Sequence, residues 1–238
     1  MVVAAAISAA RDRFTFPALV SSDGTPFKHH RTGDVTRIEA ADSPFGVAAI
    51  RKRFWYPTGR DRWRGVLRTT WLARSRVAGE FASLEALAAA GLQPRLALAF
   101  GEARHHGMLR DSFLFLRWID ASPLAERLRM ESDRARRTAL LVALGRFAGS
   151  LHRLGFVDRD LHLRNLLVPI DAAKEGATGP SLVKIDSPFG RLAAGAARQR
   201  GEERDRADLE RDLAATTDAA EQATFRASYS AARAGGSR

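Results

Sequence analysis

An aspartate and an asparagine five positions apart, Asp160 and Asn165, lie in the string Val157 to Val168, VDRDLHLRNLLV. The carboxylate can orient or accept a hydroxyl proton, and the amide can offer an oxygen to a hard metal ion. A third oxygen donor, Asp186, follows the apolar run Leu182 to Ile185 and would complete a metal site. These residue types suit phosphoryl transfer, where positioning and charge stabilisation dominate. Asp and Asn also favour capped turns, so the pair alone does not decide the chemistry.

The elements around the loop favour the chemical reading. Arg134 to Leu154 is the longest predicted helix, with Leu140, Leu144, Phe147, Ala148, Leu151 and Leu154 on one face and Gly155 closing it. It delivers the chain to the loop. Leu166 to Ile170 is a predicted strand, Asp171 to Ser181 an insertion with a turn at Gly179-Pro180, and Leu182 to Ile185 a returning strand. That hairpin brings Asp186 beside Asn165.

Upstream, Phe27 to Asp34 reads as a polar turn, and Val35 to Ala41 and Val47 to Phe54 as a hairpin of two strands. Lys52 lies near the end of the second strand, either as a phosphate-binding cation or as a surface lysine between Arg51 and Arg53. Arg74 to Ala90 is a helix with the stripe Val77, Phe81, Leu84 and Ala88, closed by Gly91. Glu80, on the shoulder of that stripe, is the natural partner for Lys52, with Glu85 as the competitor. Leu96 to Gly101 is a strand and Glu102 to Gly107 a polar turn. Phe113 to Ile119 is an apolar strand, and Leu124 to Met130 a helix with Ser122 as N-cap and Pro123 at its first position. Residues 191–212 read as an exposed helix of alternating charge, and Thr224 to Ala231 as a last amphipathic segment.

Composition sets the outer limits. The 238 residues are 45% hydrophobic and 27% charged, as in a globular protein. There is no cysteine, which excludes disulfides, thiolate metal sites and cysteine nucleophiles. No helical His-x3-His offers a zinc site, and His162, inside the loop, reads as a substrate-facing or locally packed side chain. The short apolar N-terminus lacks a basic leader, so no signal peptide is expected. A net charge of +11 favours anionic partners. The Arg- and Trp-rich stretch from Tyr56 to Trp71 is suited either to an anionic membrane surface or to packing on the domain. Nucleic acid is not expected, because charge is its sole support.

Lys52, Glu80, Asp160, Asn165 and Asp186 occur in the order, and on the elements, that phosphoryl transfer by a kinase-like fold requires. The chain resembles the lipopolysaccharide kinase family, which phosphorylates the inner-core sugars Kdo and heptose. The resemblance spans roughly residues 30–230. It rests on Arg51-Lys52-Arg53-Phe54, Glu80-Phe81 through Leu84, Ala89-Ala90-Gly91-Leu92, Ala99-Phe100-Gly101-Glu102 and Leu151-His152 through Gly155. Asp160 through Val168 is the most specific string, and Arg211-Asp212-Leu213-Ala214 and Phe225 through Tyr229 add to it.

The resemblance implies an α+β, protein-kinase-like two-lobed fold. An extension, 1–26, would precede a small β-rich lobe, 27–120, and a small helical lobe, 121–232, with a disordered tail at 233–238. It implies ATP and Mg²⁺: Lys52, held by Glu80, on the phosphates, Gly33 in a reduced glycine loop, and the Arg117-Trp118 backbone on the adenine. Asn165 and Asp186 would hold the metal and Asp160 would orient the acceptor hydroxyl. Asp212, or else Asp208, would brace the loop. The implied partners are ATP and an acidic glycolipid or sugar acceptor, for a cytoplasmic protein peripheral to the inner membrane face. Other readings on the same fold are a protein Ser/Thr kinase, a small-molecule kinase or a nucleotide-binding pseudokinase. Three departures stand out: Asp158 where a His is common, Ser187-Pro188-Phe189-Gly190 after Asp186, and the single Gly33.

Overall fold

Strands that alternate buried and half-buried side chains build the first half of the chain, and apolar-striped helices build the second. The computed structural model describes residues 2–3, 16–20, 23–56, 74–170 and 180–235. The stretch 57–71 and the insertion at 171–179 lie outside the described residues. By their contacts the residues group into two compact units, Met1–Glu85 with Arg95–Trp118, and Ala86–Pro94 with Ile119–Arg238. The architecture is mixed α/β with antiparallel sheets.

The first unit holds β1 (Val2–Val3), α1 (Phe16–Val20), β2 (Thr25–His30), β3 (Gly33–Ile38), β4 (Ala49–Trp55), most of α2 (Arg76–Ala89), β5 (Ala97–His105) and β6 (Met108–Arg117). Its six-stranded sheet runs β1-β5-β6-β4-β3-β2. Two expectations are corrected here. The polar FKHHRTGD string is a turn only at Arg31-Thr32: Phe27 to His30 lie in β2 and Gly33-Asp34 in β3, and the two strands pair across it. Glu102 to His105 continue β5, and the chain reverses at His106 (φ 48°) and Gly107 (φ 77°). Two consecutive residues at positive φ make the tight hairpin that matches strand twist. Ion pairs with neighbours let the polar stretch stay in the strand: Glu102 bonds Arg104, and Asp111 bonds Arg53. Leu19, Ile38, Ala49, Phe113 and Phe115 form the core, so α1, within the expected N-terminal extension, contributes to it.

The second unit holds β7 (Ala121–Pro123), α3 (Leu124–Met130), α4 (Arg134–Arg153), β8 (Phe156–Val157), a 3-10 turn (Leu163–Asn165), β9 (Leu166–Pro169), β10 (Val183–Lys184), β11 (Arg191–Leu192), α5 (Gly195–Ala214) and α6 (Ala219–Arg233). The predicted cap of α3 is corrected: Ser122 lies in β7, and Pro123 is the N-cap, with no side-chain hydrogen bond. Ser122 is instead paired with Val168 in the sheet. The charged helix starts later than predicted, because Arg191 and Leu192 pair with Val157 and Phe156. The last helix is longer than predicted, since Asp218 and Glu221 form a reciprocal capping box at its start.

Leu140, Leu144, Phe147, Ala148 and Leu151 of the α4 stripe form the core of this unit with Leu161, Leu163, Leu209, Leu213 and Phe225, whereas Leu154, expected in the stripe, is the helix C-cap and is exposed. Each fully buried leucine contributes roughly 1.5–3 kcal/mol. Gly145 and Gly149 let α6 approach: a Cβ at Gly149 would stand 2.5 Å from the Tyr229 carbonyl oxygen. Arg137 ties the helices together by donating to the carbonyls of Leu128 and Thr216 and to Glu221.

Candidate active site

In the first unit, the period-two alternation of β4 puts Arg51 and Lys52 on opposite faces. Arg51 is buried and donates to the Val20 carbonyl at 2.5 Å, with Asp34 3.7 Å away. Burial lowers its pKa and Asp34 opposes the shift. Lys52 Nζ reaches Glu80 Oε1 at 2.6 Å, and the Glu80 side chain is fully buried. Glu80 Oε2 is buried without a hydrogen bond. Glu85 pairs with Arg95 instead, at 3.2 Å. The structure therefore settles Lys52 on Glu80 and leaves a cation held by a desolvated carboxylate.

Gly33 is the first residue of β3, where a Cβ would meet the Arg53 carbonyl oxygen at 2.9 Å. Its lack of a side chain serves strand packing. Arg117 N–H donates to the Leu96 carbonyl and Trp118 N–H to the Ala48 carbonyl, both at 2.8 Å. These two amide donors are thus used within the unit. The Trp118 ring lies under Arg37, 4.4 Å from guanidinium carbon to ring centroid.

In the second unit, α4 ends at Gly155 (φ 78°) and β8 leads into the loop. Asn165 Nδ2 donates to the Asp160 carbonyl at 3.0 Å, closing the five-residue span. Ile185 N–H donates to the Asn165 carbonyl at 2.9 Å, so Asp186 is one residue beyond a direct backbone link to Asn165. Asp186 has φ 56°, the left-handed region that Asp visits more readily than most side chains. The Asp160 carboxylate is half-buried, 3.7 Å from His162 Nε2 and 3.6 Å from the Arg164 guanidinium.

Helix α5 braces this loop at two points. Asp212 accepts from Leu163 N–H at 2.9 Å and contacts His162 Nδ1 at 3.2 Å. Asp208 pairs with Arg211. The second brace, Asp205, was missed in the sequence. It accepts from Asp158 N–H at 2.6 Å and lies 3.3 Å from His152 Nε2, while His152 Nδ1 meets the Tyr229 hydroxyl at 2.9 Å. Burial pushes the Asp205 carboxyl pKa up, against the hydrogen bonds it accepts. A carboxylate inside a run of alternating charge carries no local signal of burial.

Asp158 was singled out as a departure but without a partner. It is buried, accepts from Ser187 Oγ at 2.6 Å and from Asp160 N–H at 3.1 Å, and pairs with Lys184 Nζ at 3.1 Å. Lys184 also donates to the Ile185 carbonyl at 2.7 Å and the Asp186 carbonyl at 3.3 Å. One buried cluster therefore joins the backbone at Asp160 to the backbone at Asp186.

The donor set fits a magnesium ion. Asn165 spends its nitrogen on Asp160, which leaves its side-chain oxygen as the group it can offer, and Asp186 supplies a carboxylate. Among the described residues no group of three or more His, Cys, Asp or Glu is placed to hold a metal. One carboxylate and one amide are enough for an ion that takes its remaining ligands from water and phosphate.

Among solved structures, 1141 chains match. One is WaaP in complex with acyl carrier protein, at a TM-score of 0.65 and 19% identity, covering 90% of this chain and 81% of that one. At that identity the likeness shows the fold. No curated protein matches by sequence. The model of the lipopolysaccharide kinase (Kdo/WaaP) family matches residues 31–229, most of the chain. This chain therefore belongs to the lipopolysaccharide kinase (Kdo/WaaP) family and is a phosphotransferase.

Proposed function

We propose that the protein transfers the γ-phosphoryl group of ATP to a hydroxyl of a lipopolysaccharide inner-core sugar, on a two-lobed kinase-like fold, at the cytoplasmic face of the inner membrane. The observation that carries the reading is the loop in which Asn165 bonds the Asp160 carbonyl and receives the strand leading to Asp186. Family membership supplies the class of acceptor.

Asp160 would accept or orient the acceptor proton, with Arg164 and His162 positioning its carboxylate. Lys52, fixed by Glu80, would hold the nucleotide phosphates. Asn165 and Asp186 would hold Mg²⁺, which when bound offsets the charge developing on the phosphate oxygens. The buried Asp158-Lys184 pair keeps Asp160 and Asp186 in register while a nucleotide enters.

The test is Asp160→Ala. Phosphate transfer from labelled ATP to a core-sugar glycolipid should fall about 10²–10⁴-fold. ATP binding, measured by calorimetry, should stay within about twofold, because Asp160 serves the acceptor side. Transfer at the wild-type rate would remove Asp160 from the reaction.

A further inference from the structure

Beside the loop lies a cavity of about 190 Å³ in the second unit, lined by Arg159, Arg191, Arg200 and Arg204. Three elements supply the arginines. Arg159 lies between Asp158 and Asp160, Arg191 is on β11, and Arg200 and Arg204 are one turn apart on α5. All four side chains are exposed. None forms an ion pair with a described acidic residue.

Their neighbours on α5 behave differently. Arg198 is bonded to Glu202 at 2.6 Å, Arg211 to Asp208 at 2.7 Å, and Arg206 lies 3.9 Å from Glu210. Thus the helix pairs its arginines on the other faces and leaves the cavity face without counter-charge. The two carboxylates on the cavity wall do not supply it. Asp158 is paired with Lys184, and Asp205 is spent on the Asp158 N–H and His152. With the Asp158 charge met by Lys184, four arginines face a single further carboxylate, so the cavity is strongly positive.

Guanidinium groups converging from three elements match the oxygens of a tetrahedral dianion, through paired N–H donors. The volume is below the roughly 300 Å³ of a complete small-molecule site, so the cavity suits one group of a larger ligand. Gly201 and Val157 also line the cavity, packed so closely that a Cβ at Gly201 would stand 2.7 Å from Val157 Cβ. Arg159 directly precedes Asp160, so the cavity borders the loop that carries the proposed acceptor-side carboxylate.

We propose that this four-arginine cavity binds a phosphate monoester carried by the acceptor glycolipid. This rests on the kinase reading and specifies its substrate: a sugar lipid that is already phosphorylated near the hydroxyl to be modified. An enzyme that forms that phosphate must therefore act earlier.

The experiment uses the full chain and two acceptors, a phosphate-bearing core glycolipid and the same glycolipid after phosphatase treatment. Arg200→Ala/Arg204→Ala should raise KM for the phosphorylated acceptor about tenfold, the loss expected for two charge-assisted contacts, with kcat nearly unchanged. It should leave KM for the treated acceptor unaltered. Arg134→Ala/Arg136→Ala, exposed on α4, is the control and should change neither. Inorganic phosphate, titrated by calorimetry, should bind the wild type and not the double variant, and should compete with the phosphorylated acceptor. Equal effects on both acceptors, or phosphate binding that survives the double substitution, overturn the proposal. Phosphate binding lost in the variant without any acceptor preference would assign the cavity to free phosphate and overturn the acceptor assignment. Absence of transfer to either acceptor would instead defeat the kinase reading, and the phosphate titration would still decide the cavity.

Discussion

Asp158 and Lys184 are each fully buried at the side chain, and each would be an uncompensated charge without the other. Ser187 donates to the same carboxylate that Lys184 holds. Two of the three departures from the family pattern, Asp158 and the segment after Asp186, are therefore the two ends of one contact. A buried ion pair adds little net stability when compared with apolar replacements, but breaking one half is costly. Lys184→Met should destabilise the protein by about 3–5 kcal/mol in urea unfolding. Adding Asp158→Asn should recover at least about 1 kcal/mol of that, measured as a double-mutant cycle. Purely additive losses would show that the pair is not coupled. Ser187→Ala keeps the ion pair and should cost only about 1–2 kcal/mol.

At the scale of elements, α5 is what the loop leans on, and Glu202 fastens α5 in turn. Its carboxylate takes Arg198 from its own helix and Arg233 from α6. Burial alone would raise its pKa, but the two arginine hydrogen bonds prevail and the pKa is lowered. A carboxyl whose folded pKa is lowered contributes stability that is complete above the ordinary glutamate value and is lost as pH falls through the lowered one. Glu202→Gln should therefore cost about 1 kcal/mol at pH 7, and the gap between variant and wild type should close as urea unfolding is repeated below the ordinary glutamate range. A gap that stays constant with pH would assign the loss to packing. The sequence made the local part of this architecture legible. The α4 stripe, the Asp160-Asn165 spacing and the hairpin into Asp186 all come from short-range pattern. Asp205, Lys184 and β11 did not show, because each is defined by a partner 26 to 53 positions away. A carboxylate in an Arg-Glu-Asp run reads as solvated until a histidine from another helix is seen to meet it. The polar hairpin at His106-Gly107 was hidden for a different reason: the end of β5 is polar, with Glu102 and Arg104 paired along the strand, so hydrophobic alternation does not reveal it.

At the scale of the whole molecule, the charge of +11 bears on where the enzyme meets its substrate. No described helix is long and apolar enough to cross a membrane, yet the proposed acceptor is a lipid. A basic surface would resolve this by holding the protein at anionic headgroups, with each arginine near the surface contributing about 1 kcal/mol. Exposed charges are screened beyond about 10 Å at 0.1 M salt and about 3 Å at 1 M, so such binding must weaken steeply with ionic strength. The full chain should therefore co-sediment with vesicles containing anionic phospholipid at low salt, release when salt is raised to about 0.5 M, and ignore neutral phosphatidylcholine vesicles. The four arginines of the cavity also add to that surface charge. Arg200→Ala/Arg204→Ala should lower vesicle binding only modestly, in proportion to two charges out of many, while raising KM for a phosphorylated acceptor as above. If instead the double variant abolished vesicle binding, the cavity itself would be the lipid anchor. If binding survived high salt, apolar insertion rather than charge would hold the protein on the membrane.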